Sequence, residues 1–170
     1  TDMYGNSDTS TQIITVIDNE LPTISIGNIQ VSNDAGKCGA VVNLGTPLTY
    51  DNCGIASITN NAPDFFPVGT TVITWTVTDA SGNFDTTTQK ITVIDNELPT
   101  IQIANITVNN TTDKCGASVD LGTPVTADNC GVVSVTNNAP SFFPVGTSLV
   151  IWTVTDKAGY TNTTIQSVTV

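Results

Sequence analysis

Four cysteines and a recurring set of carboxylates are the residues of this chain with chemistry to offer, and both return at an interval of 77 residues. Cys38 returns as Cys115 and Cys53 as Cys130. Eleven of the fifteen acidic residues hold equivalent phases: Asp2/Asp79/Asp156, Asp8/Asp85, Asp18/Asp95, Glu20/Glu97 and Asp51/Asp128. Two thiols per copy cannot complete a tetrahedral zinc site, and there is no histidine and no Cys-x-x-Cys spacing to help them. A structural disulfide is therefore the expected use of Cys38, Cys53, Cys115 and Cys130. An even number of cysteines, none left over, suits an oxidising, extracellular setting.

The same interval organises the whole chain. Val16-Ile17-Asp18-Asn19-Glu20-Leu21-Pro22-Thr23 returns as residues 93–100, Trp75 returns as Trp152, and roughly 50 of 77 positions are identical between 17–93 and 94–170. A fixed period of this length denotes an array of like modules. The expected division is one repeat at 17–93 and a second at 94–170. Residues 1–16 fit the register as the last strand of a preceding, truncated repeat, because Thr1-Asp2 and Gly5-Asn6 align with Thr78-Asp79 and Gly82-Asn83.

Nothing reads as helix. Thr, Val and Ile dominate, and Gly/Pro/Asn/Asp clusters interrupt them at short intervals. In Val72–Thr78 the apolar Ile73, Trp75 and Val77 share one face and threonines line the other. Ala40, Val42 and Leu44 recur unchanged as Ala117, Val119 and Leu121, while Val41 and Asn43 between them become Ser118 and Asp120. Identity on one face with exchange on the other is the mark of a strand buried on one side. Strands are expected near 23–32, 40–46, 54–60, 71–78 and 85–93, with one or two short ones in 61–70. The fold class is all-β: tandem immunoglobulin-like β-sandwich modules of about 77 residues, with Trp75 and Trp152 filling the cores.

That topology brings the carboxylates together. The loop between the second and third strands and the turn of the last hairpin both lie where the entering linker arrives. Asp18 and Glu20 from the linker, Asp51 and Asn52 from the loop, and Asp79 from the turn should converge; so should Asp95, Glu97, Asp128, Asn129 and Asp156. Gathered carboxylates repel unless something neutralises them. Six to eight hard oxygen ligands are what Ca²⁺ takes, so calcium is the expected cofactor. The competing account is turn chemistry, in which Asp and Asn cap loops and acidity maintains solubility.

These motifs resemble the hyalin repeat (HYR) family of immunoglobulin-like modules, end to end in both copies. The carriers are Asp-Asn-Glu-x-Pro-Thr (18–23, 95–100), Lys-Cys-Gly-Ala (37–40, 114–117), Asp-Asn-Cys-Gly (51–54, 128–131), Phe-Pro-Val-Gly-Thr (66–70, 143–147) and Trp-Thr-Val-Thr-Asp-x-x-Gly (75–82, 152–159). The resemblance implies extracellular adhesion proteins, or long tandem runs in the large surface adhesins of gliding, flavobacteria-like bacteria. The linker is also similar to the Asp-Asn-x-Pro junctions of cadherins, which bind calcium between modules. Many family members carry two further cysteines, at positions occupied here by Ile26 and Thr87, and by Ile103 and Thr164. Their joint loss implies the pairs Cys38–Cys53 and Cys115–Cys130. Such a bond needs Gly45-Thr46-Pro47 to turn early and carry Cys53 back, and closing that loop would stabilise by about 3 kcal/mol.

Composition narrows the partners. The net charge of −11, with four lysines and no arginine, excludes a nucleic-acid partner, because a phosphate backbone needs cations to displace its counterions. No apolar run is long enough for membrane insertion, and no nucleophile elbow, phosphate loop or histidine supports an enzyme. The expected work is structural: stalk or filament repeats of a secreted surface adhesin, stiffened by calcium. Its partners are other repeats of the chain, further copies of the filament, and a surface glycan or protein reached by other parts. The alternative is a glycan- or protein-binding module gripping through Tyr50, Phe84 or Tyr160. However, Tyr50 becomes Ala127 and Phe84 becomes Thr161 in the second copy.

Overall fold

The computed structural model describes residues 1–170 and contains no helix. Each repeat contributes eight strands. In the first they are β1 (Thr23–Ser25), β2 (Ile29–Ser32), β3 (Gly39–Ala40), β4 (Leu48–Tyr50), β5 (Ile55–Asn60), β6 (Phe66–Pro67), β7 (Gly69–Asp79) and β8 (Phe84–Ile94). In the second they are β9 (Thr100–Gln102), β10 (Ile106–Thr107), β11 (Gly116–Ala117), β12 (Val125–Ala127), β13 (Val132–Asn137), β14 (Phe143–Pro144), β15 (Thr147–Asp156) and β16 (Thr161–Thr169).

Both copies pair their strands in the same order. The larger sheet runs β2-β8-β7-β5 in the first and β10-β16-β15-β13 in the second, with smaller pairs β1-β4, β3-β6, β9-β12 and β11-β14. Chain contacts divide the molecule into two compact units. One comprises Thr1–Gly27, Thr46–Asn61 and Thr74–Gln89; the other comprises Asn28–Gly45, Ala62–Ile73 and Lys90–Val170. The second unit thus holds the far part of the first repeat together with all of the second.

The two layers are clearest in the second repeat. Ile101 of β9 and Phe143 of β14 share one buried cluster with Val150, Trp152 and Val154 of β15 and Val168 of β16. The alternation expected at Ile73, Trp75 and Val77 holds: all three are buried, while Val72 is exposed. Desolvating an indole leaves its N–H in need of an acceptor. Gln89 and Gln166 supply it, Nε1 of Trp75 and of Trp152 each donating to a glutamine Oε1 at 3.0 Å. The glutamines in turn donate to the carbonyls of Gly27 and Ala104.

Those carbonyls lie where the first strand of each repeat changes sheets. The single strand expected over 23–32 is two, because β1 pairs antiparallel with β4 and β2 pairs parallel with β8. The strand expected over 40–46 forms ladder bonds only at Gly39–Ala40 with β6. Beyond them Val42 and Leu44 still turn inward while Val41 faces solvent. The approach to β6 is so close that a Cβ on Gly39 would meet the Phe66 carbonyl, and one on Gly116 that of Phe143. Residues 1–16, expected as the last strand of a preceding repeat, form only the Asp2–Asn6 turn. Ile14 and Val16 stand exposed where their counterparts Ile91 and Val93 are buried.

Candidate metal centres and the repeat junction

Three aspartates meet at the head of each repeat. Asp79 ends β7 and Asp156 ends β15, so the β-ladder fixes their backbones, and each caps its hairpin turn. Oδ1 of Asp79 accepts the amides of Ser81 and Asn83 at 2.8 Å, and Oδ1 of Asp156 accepts that of Tyr160 at 2.8 Å. Asp51 and Asp128 follow β4 and β12 and cap the next turn, accepting the amides of Cys53 at 2.9 Å and Cys130 at 2.8 Å. Asp18 and Asp95 arrive on the entering linker and accept the amides of Glu20 and Glu97. Carboxylate oxygens of Asp18, Asp51 and Asp79 all lie within 4.8 Å of one another, and so do those of Asp95, Asp128 and Asp156.

In the second cluster these bonds use one oxygen of each carboxylate and leave the other without a partner. Oδ2 of Asp95, Asp128 and Asp156 and Oδ1 of Asn129 are buried and make no hydrogen bond; in the first cluster the same is true of Oδ2 of Asp51. Asp95 and Asp156 are each only 2% exposed. The salt bridge of this chain, Lys37 to Asp34 at 3.7 Å, lies outside both clusters. At 4.8 Å, two unit charges repel by about 3.5 kcal/mol at an effective dielectric of about 20. Oxygen ligands on opposite sides of one Ca²⁺ stand about 4.6–5.2 Å apart, so each trio matches a single hard cation in size and in donor type. Turn capping explains one oxygen per carboxylate and leaves the orphans unexplained.

Two thiol and carboxyl groups here are shifted. Burial opposes the charge of Asp79, but the side chain of Asn83 and the backbone amides of Asn83, Ser81 and Gly82 outweigh it and hold the carboxyl below its ordinary range. The Cys53 thiol donates to Asp18; that bond, burial and the charges of Asp18, Asp51 and Asp79 push it above the usual thiol range.

Two expected ligands are elsewhere. Glu20 is exposed, and Glu97 is engaged by the preceding repeat: its Oε1 accepts Nδ2 of Asn33 and the amide of Gly36, both at 2.7 Å. Asn52 is exposed, whereas Asn129 sits in the second cluster and donates to Asp95 Oδ1 at 3.2 Å and to the Lys37 carbonyl at 3.0 Å. Asn33, Gly36, Lys37, Asp95, Glu97 and Asn129 all belong to the second compact unit, in which they form a junction between repeats. A shallow groove of about 310 Å³ opens there, lined by Gly36, Glu97, Asp128 and Asn129 among others.

The cysteines correct the expectation directly. Neither Cys38–Cys53 nor Cys115–Cys130 forms. Cys38 is bonded to Cys130, 92 residues away with Cα atoms 4.7 Å apart, and Cys53 and Cys115 are free and exposed. Cys38 precedes β3, which pairs with β6, and Cys53 follows β4, which pairs with β1, so the two cysteines flank different strand pairs. Asn33 and Gly36 carried no signal of a junction role, although Asn33 recurs as Asn110, and Lys37 was marked only as part of the recurring Lys-Cys-Gly-Ala motif.

The aromatics of the alternative binding site are all exposed: Tyr50 ends β4, Phe84 opens β8, and Tyr160 sits in the turn after β15.

Comparison with known proteins bears on the whole chain. Hyalin from Strongylocentrotus purpuratus is 34% identical over 93% of this chain and 14% of its own length. Hyalin from Lytechinus variegatus is 36% identical over 89% of this chain and 29% of its own. The sushi, von Willebrand factor type A, EGF and pentraxin domain-containing protein 1 of Rattus norvegicus is 32% identical over 86% of this chain and 4% of its own length. The chain therefore spans less than a third of each of these relatives. Among solved structures, Drosophila N-cadherin EC1-4 overlays 88% of this chain and 49% of its own at a TM-score of 0.44 and 11% identity. The HYR domain model matches residues 17–93 and again 94–170, the two repeats in full, and the chain belongs to the HYR domain family.

Proposed function

We propose that this chain is a stretch of extracellular spacer in a cell-surface adhesion protein, and that calcium stiffens it. The kinship with hyalin supports an adhesive, extracellular setting. The tandem plan supports a role in which length scales with copy number: a filament or stalk that presents a binding tip, for adhesion or gliding. The observation that carries the calcium reading is the set of orphaned, buried oxygens on Asp95, Asp128, Asp156 and Asn129. These residues would hold the ion in the second repeat, and Asp18, Asp51 and Asp79 in the first. The ion supplies charge neutralisation alone. The chain's own residues do the rest, because Asp95 belongs to the linker and its neighbour Glu97 reaches back to Asn33 and Gly36.

No helix is long and apolar enough to cross a membrane, and the expected partners are other repeats and a surface glycan or protein met elsewhere in the parent protein. A ligand that binds only the folded state raises the melting temperature. The test is a thermal melt in millimolar calcium against chelator, paired with small-angle scattering. The expected result is a higher melting temperature and a narrower spread of chain dimensions with calcium. Indifference of both readouts would reduce the carboxylates to turn chemistry.

A further inference from the structure

The second repeat carries every Asn-x-Ser/Thr triplet of this chain: Asn105-Ile106-Thr107, Asn109-Asn110-Thr111, Asn110-Thr111-Thr112 and Asn162-Thr163-Thr164. At the same phases the first repeat reads Asn28-Ile29-Gln30, Ser32-Asn33-Asp34, Asn33-Asp34-Ala35 and Asp85-Thr86-Thr87, none of which has the pattern. In secreted proteins such triplets accept N-linked glycans where they stand at the surface. We propose that Asn109 is an N-glycosylation site, and that the bonds already made by Asn105, Asn110 and Asn162 exclude the other three.

The four asparagines differ in what their side-chain amides do. A sugar replaces one of the two Nδ2 protons and leaves Oδ1 in place, so an acceptor needs a proton to spare and room beside it. Nδ2 of Asn110 uses both protons, on the carbonyls of Thr111 at 3.3 Å and Lys114 at 2.9 Å. Nδ2 of Asn162 donates to the Pro99 carbonyl at 2.9 Å, its Oδ1 accepts the Thr163 amide at 2.8 Å, and its side chain is half-buried. Asn105 is exposed, but its Oδ1 accepts the Ser167 amide at 2.8 Å, and its Thr107 pairs with Thr169 in the parallel ladder of β10 and β16. That triplet is locked into the sheet.

Asn109 combines exposure with an amide that the protein does not engage. Asn105, Thr107 and Asn109 are exposed while Ile106 and Val108 are half-buried, so strand alternation turns Asn109 outward. The Val108 amide still donates to the Thr169 carbonyl at 2.9 Å; beyond it the triplet leaves the sheet for a loop. Thr111 anchors that loop through its backbone, its amide donating to the Gly116 carbonyl at 2.9 Å, and its hydroxyl takes no part. The openness belongs to the loop itself. Ser32, the counterpart of Asn109, is exposed as well, although Nδ2 of Asn96 donates to its Oγ at 3.1 Å.

The step is glycosyl transfer from a polyprenyl-diphosphate-linked oligosaccharide. Nδ2 of Asn109 bonds to the anomeric carbon as the bond from that carbon to the diphosphate oxygen breaks. The lipid diphosphate leaves with the electron pair, one Nδ2 proton passes to a base of the transferase, and nothing is oxidised or reduced. The inference rests on the extracellular reading above and is independent of calcium, because Asn109 belongs to neither aspartate trio.

The test is expression of the full chain behind a secretion leader in cultured animal cells. The secreted protein is mapped by peptide mass before and after peptide N-glycosidase, which leaves an aspartate at each occupied asparagine. One glycan is expected, on Asn109. Thr111→Ala should abolish it while keeping Asn109 itself and the Asn110 triplet; Thr112→Ala, which breaks only the Asn110 triplet, should leave it in place. Near-ultraviolet circular dichroism of the tryptophans checks that each variant is folded. A bare Asn109 in folded, secreted protein, or a glycan on Asn105, Asn110 or Asn162, would overturn the proposal and leave the extracellular reading standing. A folded chain that fails to leave the cell would overturn both.

Discussion

Nε1 of Trp152 donates to Oε1 of Gln166 at 3.0 Å with both side chains buried, and Gln166 spends its own Nε2 on the carbonyls of Ala104 and Leu121. One amide thus satisfies an indole and two backbone groups at the point where β9 gives way to β10 on the other sheet. Gln166→Leu keeps the volume and strands all three, at roughly 1–3 kcal/mol for each buried group left unpaired. Equilibrium urea unfolding should show the second repeat destabilised by at least about 2 kcal/mol. Trp152→Phe in the Gln166→Leu background should cost less than in the wild type, because the indole N–H has then already lost its acceptor. Strict additivity of the two changes would sink this account.

The tryptophan face was legible in the sequence because period-two alternation is a local property, and Ile73, Trp75 and Val77 lie within one strand. The aspartate trios were legible because topology places the linker, one loop and one turn at the same end of a module. Glu20 and Glu97 stand outside the aspartate trios, Glu20 exposed and Glu97 bonded to Asn33 and Gly36. A spacing of two along an extended segment suggests a shared face with Asp18 and Asp95, yet Glu97 reaches Asn33 and Gly36 of the neighbouring repeat instead. The disulfide was misread because two cysteines per copy suggest a bond within the copy. The pairing of β3 with β6 and of β4 with β1 sets Cys38 and Cys53 beside different strand pairs, and such long-range pairing is not written in the local sequence. The buried glutamines gave no sign beyond recurrence, since a polar residue in a strand is more often at the surface.

The division of labour between Asp128 and Glu97 gives a second prediction. Glu97→Ala removes the acceptor of Asn33 and Gly36 and should destabilise the junction by about 1–3 kcal/mol. It touches no oxygen of the aspartate trio, so the calcium-dependent rise in melting temperature should remain. Asp128→Asn should do the reverse: it keeps a side-chain oxygen for the amides of Cys130 and Gly131 but removes a charge from the ion site, so the calcium shift shrinks. Paired melts with calcium and with chelator separate the two, and loss of the shift in Glu97→Ala would return that glutamate to the ligand set.

Acid sensitivity follows from Asp79. Its carboxyl is held below the ordinary value of 3.8 by the Asn83 side chain and the amides of Asn83, Ser81 and Gly82, despite its burial. A carboxyl depressed in the folded state contributes stability that is present above its unfolded value and is lost as pH falls through the folded one. In chelator, the melting temperature should therefore fall below about pH 4 and go on falling at lower pH. Asp79→Asn should lower the plateau at neutral pH and flatten that acid limb. A limb equally steep in the variant would assign the acid transition to other carboxylates.

The bond between Cys38 and Cys130 closes 92 residues, and in the chain-entropy model a loop of that length contributes about 4–5 kcal/mol by restricting the unfolded chain. That contribution belongs to the second compact unit, which contains both cysteines. Reduction, Cys38→Ser and Cys130→Ser should each lower its unfolding midpoint by a similar amount, since each removes the same cross-link. Cys53→Ser and Cys115→Ser should leave the midpoint of the monomer unmoved, because neither closes a loop within one chain. Trp152 fluorescence, followed in a Trp75→Phe background, reports the unit directly. Loss of the reductant effect in Cys53→Ser would mean that the cross-link had been assigned to the wrong cysteine, and a midpoint indifferent to reductant would mean that the junction is held by Glu97, Asn129 and their partners without covalent help.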